Sequence, residues 1–85
     1  MKIEADSIAN TIESHILNCR MKTGETIRKI REEKGYSQEQ LAVIMKISRT
    51  TISKIESGKF NCSLDYLSKF SWFLGFEIKM IENKK

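Results

Sequence analysis

The sequence predicts an all-α fold, a bundle of short helices followed by one short strand. Three observations favour this class. Apolar residues recur every third or fourth position over most of the chain. Ser, Thr and Gly stand where those runs begin and end, and the 85 residues include no Pro. A composition of 40% hydrophobic and 31% charged residues is typical of one small globular domain.

Residues 6–20 are predicted to form an amphipathic helix, because Ile8, Ile12 and Ile16 recur every fourth residue. This apolar line either packs on the flank of the domain or serves as a dimer or partner surface. The residues do not decide between these alternatives. The start of the chain is acidic and lacks the long apolar centre of a signal peptide, so we expect a cytoplasmic protein.

A second helix is predicted over residues 23–34. Thr23 can cap its start, Ile27 and Ile30 face inward, and Gly35 ends it.

The stretch from Tyr36 to Lys59 contains two more short helices, joined by a tight turn. Ser37 and Ser48 are their N-caps, and Gly58 ends the second helix. The apolar positions at helical spacing are Leu41, Ala42 and Met45 in the first helix and Ile52 and Ile55 in the second. The outward side of the second helix is polar and able to reach bases or phosphates. We therefore interpret the stretch as a helix-turn-helix.

Positive charge is concentrated on this motif and on the helix before it. The chain carries a net charge of +4. Residues 20–34 contain six Lys or Arg and three Glu, and residues 46–59 contain four Lys or Arg and one Glu, so each stretch has a net charge of +3. Residues 1–19, in contrast, have a net charge of −2. A surface that binds phosphates requires such a concentration of charge.

Eight residues in or beside the motif are predicted to bind DNA. They are Gln38, Ser48, Arg49, Thr50, Thr51, Ser53, Lys54 and Lys59. Arg49 is the first choice for base readout, because a guanidinium can grip O6 and N7 of a guanine with two hydrogen bonds. Gln38, Thr51 and Lys59 are expected at phosphates, which supply affinity rather than sequence preference.

Residues 23–75 resemble the Xre/Cro-repressor type of helix-turn-helix domain. The residues that carry the resemblance are Ile27, Ile30, Arg31, Gly35, Ser37, Gln38, Leu41, Ala42, Ser48, Thr51, Ile52, Ser53, Ile55, Glu56, Gly58, Lys59, Leu64, Leu67, Leu74 and Gly75. The resemblance implies a lambda-repressor-like bundle, to which residues 1–22 add an N-terminal helix. It also implies a repressor that binds double-stranded DNA as a homodimer, with a structural salt bridge between Arg31 and Glu56.

Two places depart from the pattern of this family. Lys46 stands in the turn where the family has Gly, in a left-handed backbone conformation that costs a non-Gly residue about 1 kcal/mol. Val43 and Ile44 occupy positions that are usually polar. They either widen the core, which we favour, or contact another protein.

A last helix is predicted from a cap at Ser63 to Leu74, with Gly75 as its stop. Its inward residues are Leu64, Leu67, Phe70, Ser71 and Leu74. Three aromatic residues are left outside this stripe, namely Tyr66, Trp72 and Phe73. They indicate a second buried surface, either against residues 6–20 or across a dimer.

The tail, residues 76–85, begins with apolar and charged residues in alternation, which is the period of a half-buried strand. A single strand needs a partner for its backbone, and the same strand of a second copy is the simplest one. Phe76, Ile78 and Met80 would then lie at the dimer interface. This arrangement resembles antitoxin repressors of the persistence-operon type, which implies a toxin protein as a further partner. A frayed tail is the alternative.

Other classes of function find little support in the residues. One His, no Gly-rich phosphate loop and no nucleophile motif argue against an enzyme and against a cofactor. Cys19 and Cys62 belong to no metal-binding pattern, and both are expected to be reduced and in or near the core. The sequence therefore predicts a transcriptional regulator that reads a near-palindromic operator as a dimer, with an antitoxin as the alternative.

Overall fold

The computed structural model describes residues 4–83, with side chains described from Thr11 onwards. The helices in this range are α1 (Glu4–Glu33), α2 (Gln38–Met45), α3 (Arg49–Glu56) and α4 (Leu64–Leu74). α3 lies between α1 and α2, and α4 packs against both α1 and α2. No helix within residues 4–83 is long and apolar enough to cross a membrane.

The predicted helix boundaries in the second half of the chain are confirmed by their caps. The hydroxyls of Ser37, Ser48 and Ser63 each accept a hydrogen bond from a backbone N–H in the first turn of α2, α3 and α4. At Ser37 the side chain of Gln40 returns a hydrogen bond from its Oε1 to the Ser37 N–H, which completes a capping box. Local chemistry therefore sets where these helices begin.

One apolar core joins the four helices. Its buried members are Ile27, Leu41, Ala42, Met45, Ile52, Ile55, Phe70 and Leu74, all at positions that the helical periodicity predicts. The prediction that Leu64 faces inward is wrong, because its side chain is 68% exposed. Leu64 is the first residue of α4, directly after the cap, and lies before the point where the helix meets the core.

The two helices predicted over residues 6–20 and 23–34 are one helix of 30 residues, α1. Thr23 was expected to cap the start of the second helix, and that expectation is wrong because the helix is continuous there. Gly24 lies inside the helix, where a Cβ atom would sit 2.3 Å from the carbonyl oxygen of Ile55 and 2.6 Å from that of Glu56. Gly24 is therefore the point at which α1 crosses the end of α3, and not a helix boundary.

The first half of α1 does not pack on the flank of the domain. All nine residues from Thr11 to Cys19 are exposed, including Ile12 and Ile16. Ile8, the third member of the predicted apolar line, lies outside the residues whose side chains are described. The packing against the flank therefore does not form for residues 11–19, and the dimer or partner surface stays a prediction.

The favoured expectation that Val43 and Ile44 widen the core is also wrong. Val43 is 73% exposed and Ile44 is also exposed, because they point away from the side of α2 that holds Leu41 and Met45 in the core. Trp72 and Phe73 are exposed as well, so within the described residues they form no second buried surface, and its alternative across a dimer stays a prediction.

The two cysteines occupy different environments. Cys62 is half-buried and packs against the core, and this burial raises the pKa of its thiol. Cys19 is exposed, which contradicts its expected position in or near the core. Its sulfur lies 3.6 Å from Nε2 of His15, one helical turn earlier. Both thiols are free.

The tail forms no strand within the residues that the structure describes, so the predicted C-terminal strand is not present in the single chain. Phe76 packs against the core, and its backbone is held at the end of α4, where its N–H donates to the carbonyl oxygen of Ser71 at 3.2 Å. Ile78 and Met80 are exposed. A strand is defined by hydrogen bonds to a second strand, and one chain supplies none here. Residues 84–85 lie outside the described range.

Candidate nucleic-acid interface

The turn between α2 and α3 depends on one residue in a left-handed conformation. Lys46 has φ 58° and ψ 44°, as expected for the position that carries Gly in the family. Its N–H donates to the carbonyl oxygens of Ala42 and Val43, and the N–H of Ile47 donates to that of Ala42 at 3.1 Å. These bonds close the end of α2 and turn the chain, so that α3 begins three residues after Lys46.

The start of α3 is organised by Ser48. Its Oγ accepts a hydrogen bond from the N–H of Thr51 at 3.0 Å and lies 2.8 Å from Oγ1 of the same residue. The Ser48 hydroxyl is therefore engaged in capping. Arg49 and Thr50 follow immediately, both exposed, in the first turn of the helix. The first turn of α3, which a helix-turn-helix inserts into the DNA groove, thus presents the cation of Arg49 and the hydroxyl of Thr50.

The opposite side of α3 holds the helix in the domain. Ile52 and Ile55 are fully buried in the core. Lys54 is exposed, whereas Thr51 and Ser53 are half-buried at the edges of the helix. Lys59 is exposed beyond the end of the helix, and its N–H donates to the carbonyl oxygen of Lys54 at 2.8 Å. Of the predicted DNA-binding residues in this region, those that are exposed are Ser48, Arg49, Thr50, Lys54 and Lys59.

A buried ion pair joins α3 to α1. Nε of Arg31 donates to Oε2 of Glu56 at 2.7 Å, and Nη2 donates to Oε1 at 3.0 Å. The two side chains are only 8% and 3% exposed. Nη1 of Arg31 also donates to the carbonyl oxygen of Tyr36 at 2.7 Å. The hydrogen bond to Glu56 outweighs the effect of burial and raises the pKa of Arg31. The pair thus anchors the end of α3 and the loop before α2 to one guanidinium.

Gln38 lies in this network and not free at the surface. Its Nε2 donates to Oε1 of Glu56 at 3.0 Å, so the carboxylate accepts three hydrogen bonds. The amide of Gln38 was expected at a phosphate, and the sequence contains no local signal for its contact with Glu56. A phosphate contact by Gln38 remains a prediction, and it would use the atoms that the amide does not give to Glu56.

Two glycines allow α3 to lie close to α1; sequence reasoning did not select Gly24 and selected Gly58 only as the end of a helix. Gly24 allows the carbonyl groups of Ile55 and Glu56 to approach the α1 backbone. Gly58, with φ 77°, faces Met21, whose Cγ would lie 2.8 Å from a Cβ atom at that position. The available signal for Gly24 was a glycine inside an otherwise helical pattern, which costs about 1 kcal/mol of helix propensity unless close packing requires it.

A polar cavity of about 240 Å³ lies beside this network. It is lined by Arg28, Arg31, Glu32, Gln38, Ser53, Glu56 and Ser57. Arg28 is exposed at its rim and forms an ion pair with Glu32 at 3.3 Å. The exposed guanidinium adds a positive charge next to Ser53 and Gln38, on the side of the motif where phosphates are expected.

Comparison with known proteins identifies the chain's relatives. A family model described as helix-turn-helix matches residues 27–81, which is more than half of the chain. The control protein C.BamHI of Bacillus amyloliquefaciens is 44% identical over 63 residues, covering 73% of this chain and 78% of that protein. The control protein C.MunI of a Mycoplasma species is 40% identical over 60 residues, covering 69% and 81%.

A third relative is a regulator of a longer chain. The SPbeta prophage-derived HTH-type transcriptional regulator YonR of Bacillus subtilis is 42% identical over 52 residues, covering 61% of this chain and 48% of that protein. This chain therefore spans about half the length of that regulator.

Proposed function

We propose that this chain, which belongs to the helix-turn-helix family, is a repressor-type transcriptional regulator that reads the major groove of a near-palindromic operator as a dimer. The family and the named relatives point to a DNA-binding regulator and not to an enzyme. One observation carries the proposal for this chain. α3 exposes Arg49, Thr50 and Lys54, while a buried ion pair and two buried isoleucines hold its other side.

Arg49 is proposed as the residue that reads a base. It is exposed in the first turn of α3, the part of a recognition helix that enters the groove. A guanidinium at this point can donate two hydrogen bonds to one guanine. Thr50 follows it and is suited to a thymine methyl group or to a single hydrogen bond. Lys54 lies one turn further on and can reach either a base or a phosphate.

The remaining predicted residues are proposed as phosphate contacts. Thr51 lies in the first turn of α3 and Lys59 lies beyond its last residue. Gln38 begins α2, whose first N–H groups favour an anion. Ser48 and Ser53 are instead proposed as base contacts of lower specificity, and the Ser48 hydroxyl also caps α3. These interactions supply affinity that falls steeply with salt. Because the proposed ligand is double-stranded DNA, we also propose a cytoplasmic location.

The dimer is proposed from the symmetry that an operator of this kind requires. Two copies of α3 about 34 Å apart would read half-sites separated by one helical turn. The exposed Ile78 and Met80 support a contribution from the tail, in which residues 77–81 pair with the same residues of a second copy. Phe76 would contribute less to such an interface, because it packs against the core of its own chain.

The test is selection of bound sequences from random duplex DNA by the full chain, with the salt dependence of binding measured on the selected site. We expect a two-fold symmetric site with half-sites about ten base pairs apart. Arg49→Ala should weaken binding by about 1–3 kcal/mol and relax the preference at one base pair. Arg28→Ala is the matched control, since it also removes an exposed arginine and should weaken binding without changing the preferred sequence.

Two results would contradict the proposal. If the selection yields no preferred sequence, the protein is not a sequence-specific regulator. If the Arg49→Ala variant keeps the affinity and the preferred site of the unsubstituted protein, Arg49 does not read a base.

An antitoxin is the second candidate, and the exposed side of α2 favours it. Val43 and Ile44 line an open cavity of about 640 Å³ together with Tyr36 and Glu39. Exposed β-branched residues beside such a cavity suit a second protein. A toxin gene adjacent to this gene, and loss of binding to its product in a Val43→Asp variant, would support an antitoxin. A neighbouring toxin that does not bind the chain would exclude it.

A further inference from the structure

One face of α1 forms a seam that continues from the projecting half of the helix onto the domain. Ile12, Ile16, Cys19, Thr23 and Thr26 follow one another in alternate steps of four and three residues. This is the spacing at which one helix presents a straight line of residues to another helix. The first three are exposed, so the seam begins without a partner in the described part of the chain.

The same face borders two adjacent cavities further along α1. One, of about 250 Å³, lies between α1 and the loop that contains Cys62. The other, of about 300 Å³, lies between α1 and the tail at residues 76–79. Thr23 and Leu67 line both cavities. Together they form a groove in which the seam from Ile16 to Thr26 is one wall, and an apolar groove can accept an amphipathic helix.

The charges favour a second copy of α1 as the occupant. Residues 1–19 carry a net charge of −2, whereas the groove has Arg20, Lys22 and Lys79 in its lining against Glu77. A parallel pair would bring the two acidic ends together. An antiparallel pair brings each acidic end to the basic groove of the other copy, so the charges choose the antiparallel direction.

Arg20 adds an independent observation. Its Nε is buried and has no hydrogen-bond partner among the residues that the structure describes. The same side chain lines the cavity next to Cys62. A buried donor without an acceptor is unfavourable, and a change of the Arg20 rotamer toward an acceptor of a second copy would relieve the cost.

We propose that residues 11–19 of α1 lie antiparallel in the α1 groove of a second copy, and reciprocally. Ile16 then packs against Cys19 of the other copy, and Ile12 packs against Thr23. Glu13 and Arg20 each directly follow a seam residue, namely Ile12 and Cys19. Residues at this position face each other in an antiparallel pair, so Glu13 lies beside Arg20 of the other copy in this register. The inference rests on the proposed function for the existence of a dimer, and it assigns the dimer a second contact besides the tail.

The first test is sedimentation equilibrium of the full chain. Ile16→Asp should raise the dimer dissociation constant by about tenfold or more, since an apolar side chain leaves each half of the interface. Asn18→Asp is the matched control, because it adds the same charge on nearly the opposite side of α1 and should change the constant by less than about twofold. An Ile16→Asp variant that dimerises as tightly as the control would overturn the proposal.

A charge exchange tests the register. Glu13→Arg and Arg20→Glu should each weaken the dimer, and the double variant should recover most of the loss, because the pair is restored with its charges exchanged. A double variant no stronger than the weaker single variant would show that these residues do not face each other. Circular dichroism of each variant separates this outcome from a loss of folding.

Alkylation of Cys19 gives a measurement without a substitution in the seam. In a Cys62→Ser variant, the thiol of Cys19 should react more slowly as the protein concentration rises through the dimer dissociation constant. A rate that does not depend on concentration would overturn the proposal.

Binding to a single half-site distinguishes failure of this inference from failure of the proposed function. Ile16→Asp should bind an isolated half-site as the unsubstituted protein does and lose affinity only for the two-fold site. If both proteins bind the two-fold site equally, the α1 contact is wrong and the regulator stands. If the unsubstituted protein prefers no sequence, the proposed function fails whatever its assembly.

Discussion

Replacing Glu56 by Ala is expected to destabilise the domain by about 3–5 kcal/mol, because the substitution strands a buried guanidinium. The carboxylate accepts hydrogen bonds at 2.7 and 3.0 Å from Arg31 and at 3.0 Å from Gln38. Without it, Arg31 keeps its bond to the carbonyl oxygen of Tyr36 and a contact of 4.0 Å with Glu32. Since domains are stable by about 5–15 kcal/mol in total, this loss is a large share.

The measurement is reversible unfolding in urea, followed by circular dichroism, for Glu56→Ala, Arg31→Ala and the double variant. Each single variant leaves one buried charge without its partner, whereas the double variant removes both charges and leaves none unpaired. We therefore expect the double variant to lose much less than the two single losses combined. An arginine guanidinium stays charged at any usable pH, with or without Glu56. Raising the pH should not relieve the loss.

An exposed pair on the same helix provides the control. Arg28 and Glu32 are 3.3 Å apart, with side chains 63% and 55% exposed. Solvent screens this pair, so Arg28→Ala should change the free energy of unfolding by less than about 1 kcal/mol. If Glu56→Ala cost no more than Arg28→Ala, or if the losses from Glu56→Ala and Arg31→Ala were simply additive, the structural role of the buried pair would be refuted.

Three further predictions concern stability and reactivity. Gly24→Ala should destabilise the domain by about 1–3 kcal/mol because of the clash with Ile55. Helix propensity alone predicts a gain of about 1 kcal/mol, so the sign of the change in the free energy of unfolding, measured in urea, distinguishes the two effects. Lys46→Gly should raise the free energy of unfolding by about 1 kcal/mol, since the φ of 58° is left-handed and favours Gly. A decrease in the free energy of unfolding would show that Lys46 is not strained. In dilute protein at pH 8, the thiol of Cys62 should react with iodoacetamide more slowly than that of Cys19, because burial raises its pKa; equal rates would contradict this.

Local chemistry in the sequence was sufficient for the caps, the core and the motif. Ser37, Ser48 and Ser63 are caps because a hydroxyl satisfies an N–H group only three residues away. The spacing of apolar residues identified all eight buried core positions. The left-handed turn at Lys46 and the Arg31–Glu56 pair followed from the resemblance to a family and not from spacing, since the two charges are 25 positions apart.

The errors arose where a residue's environment depends on a distant part of the chain. Leu64, Val43 and Ile44 have the side chains of core residues, but whether a helix turn meets the core depends on how the helices pack, and these three remain exposed. The tail alternates like a strand, but a strand exists only where a second strand is supplied.

The sequence by itself determined which segments are helical, which residues form the core and which short helix presents Arg49, because these features depend on neighbours within a few residues. Only the tertiary structure decided that α1 continues through Thr23, that Gly24 seats the end of α3, and that Gln38 turns to Glu56. The physical reason is distance along the chain: each of these features needs two helices to cross, and the crossing is set by the packing of the whole core.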